Sequence, residues 1–459
     1  MRRWVAVAVA AVALVSALPG AAARTRERDH DRAVAPAPGP RIEPSVAVNP
    51  RRPSEVLVTL MRMRTTYQTG FGQVGVPDVE LHLSTDGGRR FTRTGIVPRP
   101  KDTNYTGDPS VAFDSRGRAY VSYLASARNT EAGLFMVRSD DGGHTWPTTA
   151  TRVAREIIGE DGCVGHDKPY VAVGPPPGRR RGLPDAVYVT WHTNTYADPE
   201  CTQPTAPNIR PMFARSTDGG RTFSPPVELS DQMSFAAIPA VAPDGTLRVV
   251  YLGSGTRSCP QSYPSEVRVM TSRDGGQSFT EHVATEVCFA LPGTPTGGLY
   301  YANSLPTIAI NPRTGSVTVA SVHRDAVTDA VVVAGSDRGG PWAPRAAIPR
   351  PPGILQELPW LAYAPSGKLA AAYLGQAPGG VYDAYLAWSA DDGRTWSEPA
   401  KLTSTPSLGN VRSFADAWSL GHYLGLAVGR DDVAHPVWPD IRPGEPTMVN
   451  IWTRPVPLR

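Results

Sequence analysis

Cysteine is scarce, and it is never closely spaced. The 459 residues hold four, Cys163, Cys201, Cys259 and Cys288, none in a Cys-x-x-Cys pair. That spacing argues against zinc-ribbon and thiol-redox chemistry. Helical heptads are absent, which excludes a coiled coil. There is no basic run either: 46 Lys and Arg stand against 42 Asp and Glu, and the formal charge of +4 is interspersed along the chain. Without a basic track to follow a phosphate backbone, nucleic acid is not expected as a partner. No cofactor is expected, and the pattern leaves a metal unknown.

The one long apolar run is N-terminal. Arg2 and Arg3 precede the mostly apolar stretch Trp4–Leu18, and Ala21-Ala22-Ala23 follow it. This order of charge, apolar run and small residues predicts a signal peptide over 1–23. The run is shorter than the ~20 residues that span a bilayer, so no membrane span is expected after cleavage. A secreted, extracellular protein is the result, and four cysteines suit an oxidising compartment. Residues 24–40 are charged and then Pro/Ala-rich, which predicts a disordered linker. The folded domain is expected over 41–459, as a monomer.

Glycine (44) and proline (47) are abundant, as many short strands joined by turns require. One octapeptide recurs: Ser, any, Asp, any, Gly, any, any, aromatic. Intact copies run from Ser84 to Phe91, Ser139 to Trp146, Ser216 to Phe223, Ser272 to Phe279 and Ser389 to Trp396. A worn copy from Gly335 to Trp342 keeps Asp337, Gly339 and Trp342. Ser and Asp side chains can close a hairpin tip onto nearby backbone groups, and Gly relieves a positive φ. Alternating segments such as Val79-Glu80-Leu81-His82-Leu83 precede the copies, as strands should.

A second repeat marks the start of each unit. It begins at Pro44, Pro109, Pro169, Pro239, Pro306 and Pro359 and continues into an aliphatic residue and Ala; Leu424–Val428 is a seventh, Pro-less version. Units of roughly 50–70 residues suit four strands each. The expected fold is an all-β propeller of four-stranded antiparallel blades, seven favoured and six as the alternative. The seventh unit holds about three strands, so its fourth is expected from residues just before Arg41. That pairing would close the ring and remove exposed edges.

The octapeptide resembles the Asp-box, or bacterial neuraminidase repeat, of the sialidase superfamily. The resemblance covers nearly all of the chain beyond the linker. It implies that the octapeptide carboxylates are scaffold, on the face away from the active site, and that sialidases of this type have six blades. The family opens its first inner strand with Arg-Ile-Pro, and the matching stretch here is Arg41-Ile42-Glu43-Pro44, one residue longer. The family's acid/base Asp should follow the next strand, yet residues 60–68 contain no Asp. The implied activity is an exo-α-sialidase-type glycoside hydrolase acting on terminal acidic sugars. The alternative is a non-catalytic propeller that binds a glycan or a protein.

In a propeller, the entrances of inner strands and the exits of second strands share one face. The entrances carry Arg41, Glu43, Asp108, His166, Asp167, Lys168, Glu357, His422 and Tyr423; the exits carry Arg62, Arg64, Trp191, His192, His323, Arg324, Asp325, Trp438, Asp440 and Arg442. Arg41, Glu43, Asp108, Asp167, Glu357, Tyr423, Asp440 and Arg442 are expected to face one cup. For a retaining enzyme, Tyr423 with Glu43 or Glu357 is the expected nucleophile pair, and Asp108 or Asp167 the acid. Arg41 and Arg442 would clamp a carboxylate, with Arg324, Trp191, His192 and Asp440 also on the substrate. The cysteines fall in loops of the same face. Four allow three pairings, and adjoining loops favour Cys163 with Cys201 and Cys259 with Cys288.

Overall fold

The computed structural model describes residues 30–459 except 36–39, 70–71, 127–131, 160–161, 179–182, 199–203, 233, 260–262, 290–304, 325–328, 379, 409–420, 422 and 443–448. The proposed signal peptide therefore lies outside the described residues, as do Cys201, Asp325 and His422. Residues 31–459 form a β-propeller of seven antiparallel blades. Blade 1 runs outward from the axis as Arg41–Val48, Val56–Thr69, Gly72–Ser84 and Thr92–Ile96. The inner strands of blades 2 to 7 are Tyr105–Phe113, Gly162–Gly174, Ser234–Val241, Thr307–Ile310, Leu355–Tyr363 and Gly425–Val428. Each coincides with one of the unit starts read from the sequence.

Both faces of each blade are buried, because side chains alternate across a strand. In the second strand of blade 1, Leu57 packs with Val111, Val121 and Phe135 of blade 2. Val58 and Leu60 point the other way, onto Val437 and Ile451 of blade 7. The same alternation buries Ala370 and Leu374 of blade 6 with Leu426 and Trp438 of blade 7.

The octapeptides form the turns between third and fourth strands. In blade 1 the Ser84 hydroxyl donates to Asp86 Oδ1 (2.9 Å) and accepts from the Gly88 amide (2.9 Å). Asp86 Oδ1 also accepts from the amides of Arg89 and Arg90. Copies at Asp141, Asp218, Asp274 and Asp391 repeat the pattern. Burial pushes Asp141 and Asp218 up, but hydroxyl bonds from Thr145 and Thr222 and the turn amides outweigh it, holding both at about 2. In the worn copy, Asp337 turns away to ion pairs with Arg345 (2.7 Å) and Arg394 (2.5 Å).

Blade 7 has no octapeptide because its third and fourth strands are not consecutive. Its third strand, Val449–Thr453, pairs with Arg32–Ala33. The fourth strand thus comes from before Arg41, as expected, and from inside the stretch read as a linker. Val34 and Ala35 are buried, and the Val34 amide donates to the Ile451 carbonyl (2.8 Å). The compositional reading overlooked this strand because an edge pairing needs backbone groups more than an apolar side-chain pattern.

Cys259 and Cys288 are bonded as expected, with their Cα atoms 5.6 Å apart. Cys163 is also disulfide-bonded, and its expected partner Cys201 lies outside the described residues. Among the described residues, no helix is long and apolar enough to cross a membrane.

His435 lies within blade 7, 1 % exposed, and neither ring nitrogen has a hydrogen-bond partner among the described residues. Burial, opposed by the charge of Asp431, lowers its pKa from 6.5 to about 4. The unfolded chain therefore takes up this proton first as pH falls. The contribution is fully present above the unfolded value and is lost as pH drops toward 4. The urea midpoint is expected to fall between about pH 7 and pH 4.5 by less in His435→Gln than in the parent. Equal falls in both would show that His435 does not set the acid limb.

Candidate functional site

Five inner strands carry the same irregularity. Each slips register by a bulge near its entrance: Ile42/Ser45, Gly107/Ser110, Asp167/Tyr170, Phe235/Ile238 and Glu357/Trp360. The first residue of each bulge has a positive φ: Glu43, Asp108, Lys168, Ala236 and Leu358. Non-glycine residues occupy this region rarely, and such strain gathers at functional positions. Proline follows four of the five. Three of these positions hold charged side chains, and those three meet.

Lys168 is the centre of the meeting. Its Nζ lies 4.0 Å from Glu43 Oε2 and 5.4 Å from the centroid of the Tyr423 ring. Burial lowers the Lys168 pKa, but the charges of Glu43, Asp108 and Asp167 more than reverse this and hold it firmly protonated. Tyr423 is 4 % exposed and its hydroxyl is hydrogen-bonded to Glu43. Burial first, and then the neighbouring carboxylates, push the phenol well above its ordinary value.

Asp108 and Asp167 share a hydrogen bond, and their environments drive them apart. Burial raises Asp108 well above the usual carboxylate range, beyond what Lys168 offsets, and the charges of Asp167 and Glu43 add to the rise. Burial also acts on Asp167, but a hydrogen bond from His192 and the charge of Lys168 overcome it and keep Asp167 ionised. His192 Nε2 is 3.4 Å from Asp167 Oδ2. Burial and the neighbouring acids thus favour the shared proton on Asp108, and His192 and Lys168 favour the charge on Asp167. Two carboxyls pushed to opposite protonation states are the arrangement that acid–base chemistry uses.

Beneath the charges lies an aromatic layer. Tyr170 packs against Tyr423 and Trp360, with ring centroids 6.1 and 6.2 Å apart. These rings line a central cavity of about 140 Å³, to which all seven blades contribute.

The other expected site residues lie in different settings. Arg41 is 2 % exposed, with Nε 3.1 Å from Glu80 Oε2. Arg442 pairs with Asp31 and, at 2.9 Å, with Asp440, and its guanidinium lies 3.9 Å from the Trp452 ring centroid. Asp440 is fully buried, and burial, partly offset by Arg442, raises it to about 6. Trp191 is fully buried and donates to His166 Nδ1 (3.1 Å). Because His166 Nε2 sits 2.9 Å from the Arg155 carbonyl, it carries the proton of a neutral ring. Glu357 and Arg324 are buried. The described contacts therefore unite Glu43, Asp108, Asp167 and Tyr423 of the eight cup residues, with His192 joining them. Lys168 is not among the eight expected cup residues, although it occupies the same repeat position, before Pro, as Glu43 and Asp108.

No family model matches the chain, and no curated protein matches it. Solved structures do resemble it. A protein of unknown function from Dyadobacter fermentans is 15 % identical, covers 79 % of this chain and 97 % of its own, and has a TM-score of 0.47. The α-L-arabinanase of Penicillium chrysogenum complexed with arabinobiose is 10 % identical over 92 % of this chain and 97 % of its own, TM-score 0.47. A Hadza microbial sialidase is 15 % identical over 85 % of this chain and 74 % of its own, TM-score 0.45. With TM-scores below 0.5, none of these bears on the roles of the residues above.

Removing one partner of a buried ion pair leaves the other charge uncompensated, at about 3–5 kcal/mol. Lys168→Met is expected to lose stability of that order near neutral pH. Without the cation, the carboxyls titrate above their unfolded values, so the folded state holds more protons. Stability of the variant should then fall as pH rises, and its urea midpoint should be higher at about pH 5 than at about pH 7. A midpoint that does not rise on acidification would show that Lys168 does not hold the carboxylates together.

Proposed function

We propose that the chain is a secreted glycoside hydrolase of the exo-α-sialidase type, with its active site at the axial cluster. The observation that carries this reading is the meeting of Tyr423, Glu43 and Asp108 around Lys168, with the Tyr423 hydroxyl bonded to Glu43 and the Asp108 carboxyl raised above its ordinary range. A phenol is a poor nucleophile near neutral pH and needs an adjacent base, which Glu43 supplies. Asp108 holds a proton at pH values where an ordinary carboxyl has lost it, so it can protonate the leaving oxygen.

The steps balance as a double displacement. Glu43 takes the phenolic proton as Tyr423 Oη attacks the anomeric carbon, and the glycosidic bond breaks as Asp108 delivers its proton to the departing oxygen. Asp108, now ionised, removes a proton from water, which attacks the same carbon. The bond to Tyr423 breaks, and the proton on Glu43 returns to the phenolate. Lys168 steadies the negative charge that Glu43 and Asp108 carry in turn.

The substrate is a terminal sugar. An acidic sugar's carboxylate is met by Lys168, the cation of the axial cluster, whereas Arg41 pairs with Glu80 and Arg442 with Asp31 and Asp440. A purified protein screened on fluorogenic glycosides, acidic and neutral, tests the reading. Tyr423→Phe is expected to lower turnover by roughly 10²–10⁴-fold while largely sparing stability, because the ring remains. Asp108→Asn should lose comparably on poor leaving groups and much less on activated aryl glycosides, which need no proton. Parent activity should decline as pH rises through the elevated Asp108 value. Glycan binding without turnover in the parent would favour the non-catalytic binding propeller.

A further inference from the structure

Blade 1 carries more positive charge than its own carboxylates neutralise. Glu80 Oε2 lies 3.1 Å from Arg41 Nε and 3.1 Å from His82 Nε2. Glu80 Oε1 lies 3.0 Å from Arg93 Nη1 and 3.8 Å from Arg62 Nη1. Burial pushes the Glu80 carboxyl up, but the His82 hydrogen bond and the charges around it prevail and hold it at about 2. Two residues before it, Asp78 lies 2.5 Å from Arg64 Nε and 3.6 Å from Arg99 Nη2. Five guanidinium groups thus meet two carboxylates, an excess of three.

The two signs differ in exposure. The carboxylates are buried, at 1 % and 8 % of their side chains, whereas Arg62, Arg64, Arg93 and Arg99 keep 35, 32, 50 and 40 % exposed. The acids act as buried anchors that fix the arginines, and the outer faces of four guanidiniums remain in water. Anchoring lowers the entropy that a flexible side chain loses on binding. Guanidinium is also the group best matched to planar oxyanions.

We propose that this arginine stripe is a binding surface for an acidic polysaccharide, one bearing sulfate or carboxylate on successive sugars. Residues i and i+2 of a strand lie about 7 Å apart on one face, so Asp78 and Glu80 organise two neighbouring anion positions. A chain of alternating acidic groups fills both, whereas a single phosphate fills one. A nucleic acid is disfavoured, because the stripe occupies one blade and the rest of the surface intersperses both signs. The inner end of the stripe, the buried Arg41, lies two residues from Glu43, so the stripe begins next to the axial cluster. The inference stands apart from the hydrolase reading, since binding is measured without turnover.

The test is calorimetric binding of heparin oligosaccharide to the whole protein, with polygalacturonate for carboxylate alone and duplex DNA as a competing polyanion. Heparin affinity should fall with salt between about 50 and 200 mM. Arg62→Gln with Arg93→Gln should weaken it at least about tenfold and reduce the salt slope by about 2. Arg93→Lys should retain part of the affinity, and Arg313→Gln, in blade 5, all of it. Thermal unfolding monitors folding, and Arg64→Gln with Arg99→Gln provides a second pair should the first unfold. Unaltered heparin binding in a folded double variant would overturn the proposal. So would absent heparin binding in the parent, or DNA bound as tightly as heparin.

Discussion

The pairing of Arg32–Ala33 with Trp452 and Thr453 is the contact on which the rest of the structure depends. Six blades are each folded from one continuous stretch of chain, so their strand order follows from hairpins. Blade 7 is assembled from both ends of the domain. Its closing strand is only two residues long, too short to hold by backbone bonds alone. Side chains reinforce it: Asp31 meets Arg442 and accepts from the Ser404 amide, and Asn450 donates to the Ala35 carbonyl. Arg442 is therefore a clasp between N-terminal and C-terminal segments. Its expected role on a substrate and this one compete for the same guanidinium.

Closure has a consequence at the axis. Seven inner strands converge there, and Ala47, Ala112, Ala172, Ala309, Ala362 and Ala427 recur in them as small residues. The bulges restore room for large polar side chains at one end only. A left-handed residue followed, in four cases, by a rigid proline changes the direction of the strand for one position. Glu43, Asp108 and Lys168 are 125 residues apart from first to last in sequence yet become neighbours through that one repeated device. The strain at each costs stability, and the ring holds it in place from both sides.

The scaffold was legible because its signals are local and repeated. Each octapeptide specifies its turn within eight residues, and each inner strand announces itself by proline, an aliphatic residue and alanine. The closing strand was anticipated from a count of strands, though its residues read as linker. The site was less legible because its pairings are made across blades. Position within the repeat correctly brought Glu43, Asp108, Asp167 and Tyr423 to one mouth. It had no means of showing that Glu80, on an alternating strand, captures Arg41, or that Trp191 faces inward to His166. Lys168 shared its repeat position with Glu43 and Asp108, so comparison of the blades against one another would have singled it out.

Aspartate serves two opposite purposes in this fold, and environment alone separates them. In the octapeptides Asp141 and Asp218 accept bonds from two backbone amides and two hydroxyls each, and the ionised form is favoured. A carboxylate so satisfied has nothing left to offer a substrate. Asp108 sits half-buried among other acids, where its hydrogen bond to Asp167 favours its neutral form. That setting keeps a proton available. The residue type that recurs most conspicuously in the sequence is therefore the one bound most tightly to structure, and the aspartate of the candidate site stands outside the octapeptide. Repetition marks scaffold here, and the departures from it at a shared repeat position mark the candidate site.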